Sequence, residues 1–307
     1  MNGFGPDTTT DDVIAGVDLS GRTALVTGVT SGLGGETARA LTASGAAVIL
    51  TARDGDAAAT VADEIRAQLP DADLTTVALD LADLSSVRAA AERIAARPID
   101  LLINNAGVMY TPFARTADGF ELQFGTNHLG HFLLTTSLMP NLRSAAERSG
   151  SASRVVTVSS AAHRAHAVDL VDPNFRDRPY DKFVAYAQSK AANVLMTVEL
   201  RNRYGDSGIH AFAVHPGVCA TGLSRHMSRD DFAEMKRMSA DKPGLLANLK
   251  SIPAAAATSV WAATAAQLSS SGGGYLADCG IDRAADHAVD PVTAAALWEL
   301  SEQLVGR

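Results

Sequence analysis

Thr23-Ala24-Leu25-Val26-Thr27-Gly28-Val29-Thr30-Ser31-Gly32-Leu33-Gly34 is the stretch that decides how this chain folds. Thr23 to Thr27 reads as a short buried strand that runs directly into glycines. Gly34 to Ser44 then reads as a helix, stopped at Gly45. Glycines at such a turn let the backbone reverse tightly, and the helix that follows offers unpaired N–H groups and a positive dipole end. A pyrophosphate is the ligand those features suit. The spacing is Gly28-x-x-x-Gly32-x-Gly34, and no Gly-Lys-Ser/Thr follows, which argues against a nucleoside-triphosphatase loop.

The same alternation continues outward. Ala47 to Thr51 is a second apolar strand, and residues 56–68 are helical up to Pro70. Leu74–Leu79, Asp100–Ile103, Arg154–Ser159 and Ile209–Val214 read as strands, with Tyr275-Leu276 on a short final one. Helices are expected at 85–96, at 120–142 with a break near Gly130, and at 184–204, 252–266 and 292–305. Apolar strands separated by helices predict an α/β fold: one doubly wound, mostly parallel sheet of about seven strands with helices on both faces. Residues 1–20 read as a loose arm, 21–307 as the single domain, and 222–252 as a polar, irregular segment.

Bulk properties narrow the function. The chain has 307 residues, enough for a sizeable core, with 47% hydrophobic and 20% charged residues. The formal charge of −8 and the lack of a basic stripe argue against a nucleic-acid partner. Cys219 and Cys279 form no CxxC and are expected as reduced, buried side chains. No membrane span is expected, and the polar stretch 1–10 does not read as a signal peptide, so the expected location is cytoplasmic.

Strand ends carry the candidate ligand contacts. After the second strand comes Thr51-Ala52-Arg53-Asp54. An acid there would accept hydrogen bonds from an adenosine ribose diol. Ala52 occupies that place, and Arg53 follows it. A guanidinium suits a 2′-phosphate, which favours NADP(H) over NAD(H) unless Asp54 is the acid. Thr30 and Ser31 can add hydroxyl donors. Asp80-Leu81 closes the third strand and is placed for an adenine ring. Asn104-Asn105-Ala106-Gly107 closes the fourth, where small residues suit backbone lying against a flat ligand.

Tyr186 and Lys190 are four apart, one helical turn from each other. An ammonium group near a phenol favours the phenolate and lowers its pKa, so the pair can exchange a proton.

In order along the chain, these motifs resemble the short-chain dehydrogenases/reductases. They comprise Thr-Gly-x-x-x-Gly-x-Gly at 27–34, Asn-Asn-Ala-Gly at 104–107, Asn127, Ser159-Ser160, Tyr186-x-x-x-Lys190 and His215-Pro216-Gly217. The stretches 126–132, 51–54 and 274–279 resemble the retinol dehydrogenase-like branch, which also holds the WW-domain oxidoreductases. The resemblance implies a Rossmann fold and a set of roles. Tyr186 is the general acid or base, and Lys190 holds the nicotinamide ribose and tunes the phenol. Ser160 bonds the substrate oxygen, and Asn127 supports a water-linked proton path. Gly28, Thr30, Ser31, Gly32, Leu33, Gly34, Arg53, Asp80, Leu81, Asn105, Ala106, Gly107, Pro216, Gly217, Val218 and Thr221 hold the cofactor.

That implies an NADP(H)-dependent oxidoreductase for a moderately apolar ketone, aldehyde or alcohol. The alternatives are an NAD-preferring secondary-alcohol dehydrogenase and a nucleotide-sensing protein of the same fold. The resemblance also implies a homodimer or homotetramer through helices near 120–142 and 184–204, although monomers occur in this branch. Ser160 and Tyr186 are separated by a longer interval than the family's common core has, so 161–183 reads as an insertion at the site. The segment 222–252 reads as a substrate lid.

Other residues have plainer readings. His128/His131 and His163/His166 have helical metal-ligand spacing but no accompanying carboxylate or cysteine cluster, and no metal is expected. Glu121 and Glu199 read as solvated, Trp261 and Trp298 as core. Met227, Met235 and Met238 fit either an apolar pocket or lid packing.

Overall fold

The apolar runs pair side by side, because strands apolar on both faces are stable only between two layers of helices. In the computed structural model, which describes residues 3–30, 32–238, 249–268 and 274–306, eight strands form one sheet in the order β3-β2-β1-β4-β5-β6-β7-β8. They are β1 (Thr23–Thr27), β2 (Ala47–Ala52), β3 (Leu74–Ala78), β4 (Leu101–Asn104), β5 (Ser153–Val158), β6 (Ile209–His215), β7 (Tyr275–Ala277) and β8 (Gly280–Asp282). The first seven are parallel. β8 returns antiparallel to β7 and adds one strand to the expected seven. Asp278 and Cys279 make that hairpin, with φ of 50 and 53°. Two central residues at positive φ are what a two-residue hairpin turn needs, but neither is the usual Asn or Gly, so the sequence carries no clear turn signal.

Alternation along the strands divides the core. Leu25, Ile49, Leu102 and Val155 face one side; Val26, Leu50, Ile103 and Val156 face the other. The first side packs on α4 (Leu84–Ile94), α6 (Gly130–Ser137), α8 (Lys182–Tyr204) and α11 (Pro291–Val305). The second packs on α2 (Leu33–Ala43), α3 (Gly55–Gln68) and α10 (Ile252–Thr264). Each fully buried Leu or Ile contributes about 1.5–3 kcal/mol. Trp261 and Trp298 are buried, as expected.

Five expectations are corrected. The supposed loose arm contains α1 (Thr10–Ile14), capped reciprocally by Thr9 and Asp12 and packed on α2 and α10 through buried Val13. The helix expected over 120–142 is α5 (Leu122–Phe124), a π turn at Gly125–Leu129, α6 and then α7 (Met139–Ser149). Residues expected to be irregular form α9 (Arg229–Met238), begun by a reciprocal pair in which Ser228 N donates to Asp231 and Asp231 N donates to Ser228. Glu121 and Glu199 are buried, not solvated; Glu199 pairs with Arg203 at 2.6 Å. Both cysteines are free, but Cys219 is only half-buried.

Candidate active site

β1 lies between β2 and β4, so the chain winds away from it in both directions, and the turn after β1 sits where the strand order reverses. Gly28 N and Val29 N both donate to Thr51 O, at 2.9 and 3.3 Å, tying the turn to β2. Gly28 has φ +71°, and a Cβ there would meet Ala106 Cβ at 2.7 Å; one at Gly34 would meet Gly28 O at 2.3 Å. No side chain fits at either place. α2 starts at Gly32 without a side-chain cap, which leaves its first N–H groups to other acceptors. Thr30 is exposed and Leu33 half-buried beside it; Ser31 lies outside the described residues.

The end of β4 locks onto the same turn. Thr27 Oγ1 accepts from Asn105 N at 2.9 Å and from Ala106 N at 3.0 Å. Asn105 Nδ2 donates to Thr27 O at 2.8 Å and to Gly28 O at 3.3 Å, so its amide holds the turn. His131 completes the lock. Its Nδ1 donates to Asn127 O (3.0 Å), which leaves Nε2 to accept from the Thr27 hydroxyl (2.9 Å). Burial lowers its pKa to about 4, in keeping with a neutral ring. Neither Thr27 nor His131 was read from the sequence as part of the site.

Arg53 is exposed one residue beyond β2, whereas Ala52 is buried. Asp54 caps α3, accepting from Asp56 N at 3.0 Å and Ala57 N at 3.4 Å. Both bonds use Oδ1 of an exposed carboxylate. Asp80 accepts from Ala82 N at 2.9 Å. Leu81 is buried, and its carbonyl lies where a Cβ on Gly130 would approach to 2.4 Å. Pro216, Gly217 and Val218 follow β6; Gly217 has φ +85° and is covered by the Lys250 stem, and Val218 O accepts from Lys250 N. Thr221 Cγ2 lies 2.9 Å from a Cβ built on Gly32, so this segment meets the glycine turn.

Asn127 sits inside the π turn, a distortion that often marks functional sites. Its amide pairs with both backbone groups of Val108, at 2.8 and 2.9 Å, and also donates to Ser189 Oγ at 2.9 Å. A Cβ on Gly107 would lie 3.0 Å from Asn127 Oδ1 and 3.6 Å from Lys190 Nζ. Lys190 Nζ donates to Val158 O at 3.0 Å and lies 5.7 Å from the centre of the Tyr186 ring. Ser160 lies beside Tyr186, close enough to act on its phenol, and caps the short turn after it, while Ser159 donates to Lys190 O at 2.8 Å. The 161–183 segment loops away and returns, which closes the long interval between Ser160 and Tyr186.

The electrostatics differ from expectation. Burial, with the nearby Tyr110 phenol, raises the Tyr186 pKa, and the Ser160 hydroxyl opposes that only in part. Burial also lowers the Lys190 pKa to about 8. In the protein alone desolvation outweighs the lysine, and Tyr186 is a neutral phenol.

Two residues near it escaped the sequence reading. Tyr110 packs edge-on against Tyr186, centroids 5.1 Å apart, and Gln123 Oε1 accepts from Tyr110 N at 2.8 Å. An isolated Tyr after a strand and an isolated Gln in a helix give no local signal. The histidine pairs are occupied otherwise: His128 with Ser301, His163 with Ser160 O and Ala285 N. Among the described residues no three His, Cys, Asp or Glu gather as a metal site. Met227 and Met235 are half-buried in the segment after Thr221, and the Met238 side chain lies outside the described residues, as does 239–248 of the expected lid.

Known proteins resemble this one over nearly its whole length. The family model for short chain dehydrogenases matches residues 22–231. A chloroplastic short-chain dehydrogenase, TIC 32 A of Brassica napus, is 38% identical over 310 residues, covering 99% of this chain and 95% of that protein. Human retinol dehydrogenase 13 is 39% identical over 290 residues, covering 94% of this chain and 86% of that protein. A solved structure of an uncharacterised protein from Mycobacterium paratuberculosis superimposes with a TM-score of 0.76 at 36% identity, covering 98% of each chain.

Proposed function

The chain belongs to the short-chain dehydrogenases, in the retinol dehydrogenase-like branch, and we propose that it is an NADP(H)-dependent oxidoreductase interconverting a moderately apolar ketone or aldehyde with its alcohol. The observation that carries this reading is one unbroken line along the carboxyl edge of the sheet. Thr221 touches Gly32, Gly28 touches Ala106, and Gly107 touches Asn127 and Lys190, one helical turn from Tyr186. Two of those contacts, at Gly28 and Gly32, leave no room for a Cβ, as a site where backbone must lie against a flat ligand requires.

When bound, the nicotinamide supplies or accepts hydride at the substrate carbon. Gly28, Gly32, Leu33, Gly34 and the start of α2 would hold its pyrophosphate, with Thr30 and Ser31 adding hydroxyls. Asp80, Leu81, Asn105, Ala106 and Gly107 would border its adenine and ribose, and Pro216, Gly217, Val218 and Thr221 its carboxamide end. Arg53 is exposed, forms no ion pair among the described residues, and follows a buried alanine; that combination favours an adenosine 2′-phosphate.

Tyr186, buried and neutral, holds the proton that a substrate oxygen needs on reduction. Ser160, beside the same phenol, orients that oxygen. Lys190 keeps a positive charge beneath the pair while bonded to Val158 O, and Asn127 fixes the Gly107–Val108 backbone against it. A neutral phenol is the protonation state that reduction draws on.

A panel of retinoids, steroids, aryl ketones and aliphatic aldehydes, followed by NADPH and NADH absorbance, tests the reading. Turnover with lower KM for NADPH is expected; equal or better use of NADH would sink the role given to Arg53. Among the described residues no helix is long and apolar enough to cross a membrane, and a cytoplasmic location is part of the proposal. So is a homodimer or homotetramer, though α11 lies against α8 and leaves less of the 184–204 face for a second copy.

A further inference from the structure

Tyr110 is one of the few non-glycine residues with positive φ, at +52°. A bulky side chain in that region is costly and persists only where its surroundings over-determine it. Here they do. Asn127 holds both backbone groups of Val108, and Gln123 Oε1 accepts from Tyr110 N. Tyr180 hydroxyl donates to Thr111 O at 3.0 Å, and Gln123 Nε2 donates to that same hydroxyl at 2.9 Å and to Lys182 O at 3.0 Å.

Two of these groups, Tyr180 and Lys182, come from the end of the 161–183 insertion and the residue that opens α8. Asn174 of the same insertion accepts from Glu121 N at 2.9 Å, and Pro173 O accepts from Gln188. The insertion is therefore fastened to α5 and α8 on either side of the strained loop. It finishes at Phe183, which lies three residues before Tyr186 on the same helix face. The Phe183 and Tyr110 rings stand 4.5 Å apart, and the Tyr110 ring meets Tyr186 edge-on.

Resting on the oxidoreductase reading of this site, we infer that Tyr110 and Phe183 form an aromatic wall beside Tyr186, with Tyr110 the specificity-determining residue and planar aryl ketones and aldehydes the favoured substrates. A carbonyl compound whose oxygen reaches the Tyr186 hydroxyl comes in beside the ring that meets Tyr186 edge-on. A flat conjugated group can pack on the wall by offset or edge-on contact, geometries that a puckered saturated ring of the same size cannot adopt. The insertion builds the wall by pinning the loop that carries Tyr110. Lys182 extends the wall towards the following segment through its ion pair with Asp231 of α9, at 2.5 Å.

The test compares kcat/KM for acetophenone with cyclohexyl methyl ketone, and for benzaldehyde with cyclohexanecarbaldehyde, in wild type, Tyr110→Leu and Tyr110→Phe. Each pair differs in the flatness of its ring and in conjugation with the carbonyl, and the second difference is the same for every variant and cancels when ratios are compared. The aryl-to-saturated ratio is expected to fall on the order of tenfold in Tyr110→Leu, the worth of one aromatic contact, and to stay within about threefold of wild type in Tyr110→Phe. An unchanged ratio in Tyr110→Leu overturns the wall. An equal fall in Tyr110→Phe overturns it too, because the hydroxyl and not the ring would then discriminate. If wild type turns over none of the four compounds but does turn over a retinoid or steroid with NADPH or NADH, the aryl preference falls and the parent reading stands; if the whole panel fails as well, both fall; turnover with an unmoved ratio breaks the wall alone. Should Tyr110→Leu not fold, Phe183→Leu carries the same expectation from the opposite side.

Discussion

The two ends of the parallel sheet are both built from buried polar residues, yet they do opposite things. At the amino ends of β1, β4 and β5, charges answer one another. Asp100 accepts from Arg22 and Arg148, each at 2.8 Å, and from Thr23 N at 2.9 Å. Arg154 reaches across to Ala262 O and Ala265 O, the carbonyl end of α10, where a cation is favoured. At the carboxyl ends, Thr27, Asn105, Asn127 and His131 bond to backbone and hold it in shapes that have no room for a side chain. Lys190 and Tyr186 have no ion-pair partner there among the described residues. One end uses polar groups to close the fold, and the other uses them to keep a surface open.

The sharpest way to break this contrast is to separate activity from stability. Tyr186→Phe is expected to lower kcat by about 10²- to 10⁴-fold, the usual contribution of a positioned acid or base, with cofactor binding and melting temperature little changed. Steady-state kinetics beside a cofactor titration reads this, and near-wild-type turnover would overturn the proton-donor role. Asp100→Ala is the mirror experiment. It leaves Arg22 and Arg148, 29% and 45% exposed, facing a buried void. That exposure puts the cost near the lower end of the range for breaking a buried pair, about 3 kcal/mol in urea unfolding, with kcat/KM per folded molecule preserved. A loss below about 0.5 kcal/mol would show that the amino end is not structural in the sense argued.

Arg53→Ala probes the open end at its rim. KM for NADPH is expected to rise about 10- to 30-fold, the worth of hydrogen bonds to a charged group, while KM for NADH and stability stay put. A parallel rise in both constants would remove the 2′-phosphate assignment.

The smallest effect concerns pH. His131 is held neutral, its folded pKa of about 4 lying below the value near 6.5 of the unfolded chain. The unfolded state therefore binds more protons between about pH 4 and 6.5, so stability is full above that window and falls as pH drops through it. The slope is about 1.4 kcal/mol per pH unit for each such histidine. His128, lowered to about 3 by burial, acts in the same direction. Urea midpoints across this window should show a shallower acid loss in His131→Gln than in wild type; an identical slope would remove His131 from the account. Lys190 gives the opposite flank. Its depressed pKa means stability rises as pH climbs from about 8 towards the unfolded value.

Much of this was legible from local pattern. The strand–glycine–helix stretch at 23–34 and the alternation after it specify a doubly wound sheet, because period and turn chemistry are properties of neighbouring residues. Tyr186, Lys190, Ser160 and Asn127 were readable as an ordered set, and the structure brings them to one edge. The eighth strand was not readable, since its turn uses Asp278 and Cys279 in a conformation their types rarely adopt. The polar look of Glu121 misled, because its burial depends on Tyr180 and Asn174, which come from far along the chain. The Ser-x-x-Asp cap that begins α9 at Ser228 was present in the sequence and could have been read.

By itself the sequence determined the architecture, the glycine turn and the one-turn spacing of Tyr186 and Lys190, all of which rest on residue type and spacing along a few turns of chain. Tertiary structure decided the rest. It decided that burial outweighs Lys190 and leaves Tyr186 a neutral phenol, because desolvation depends on everything packed around a group. It also decided that Tyr110 and Phe183, distant in sequence, pack together with Tyr110 edge-on to Tyr186, because only the fastening of 161–183 to α5 and α8 brings the two rings together.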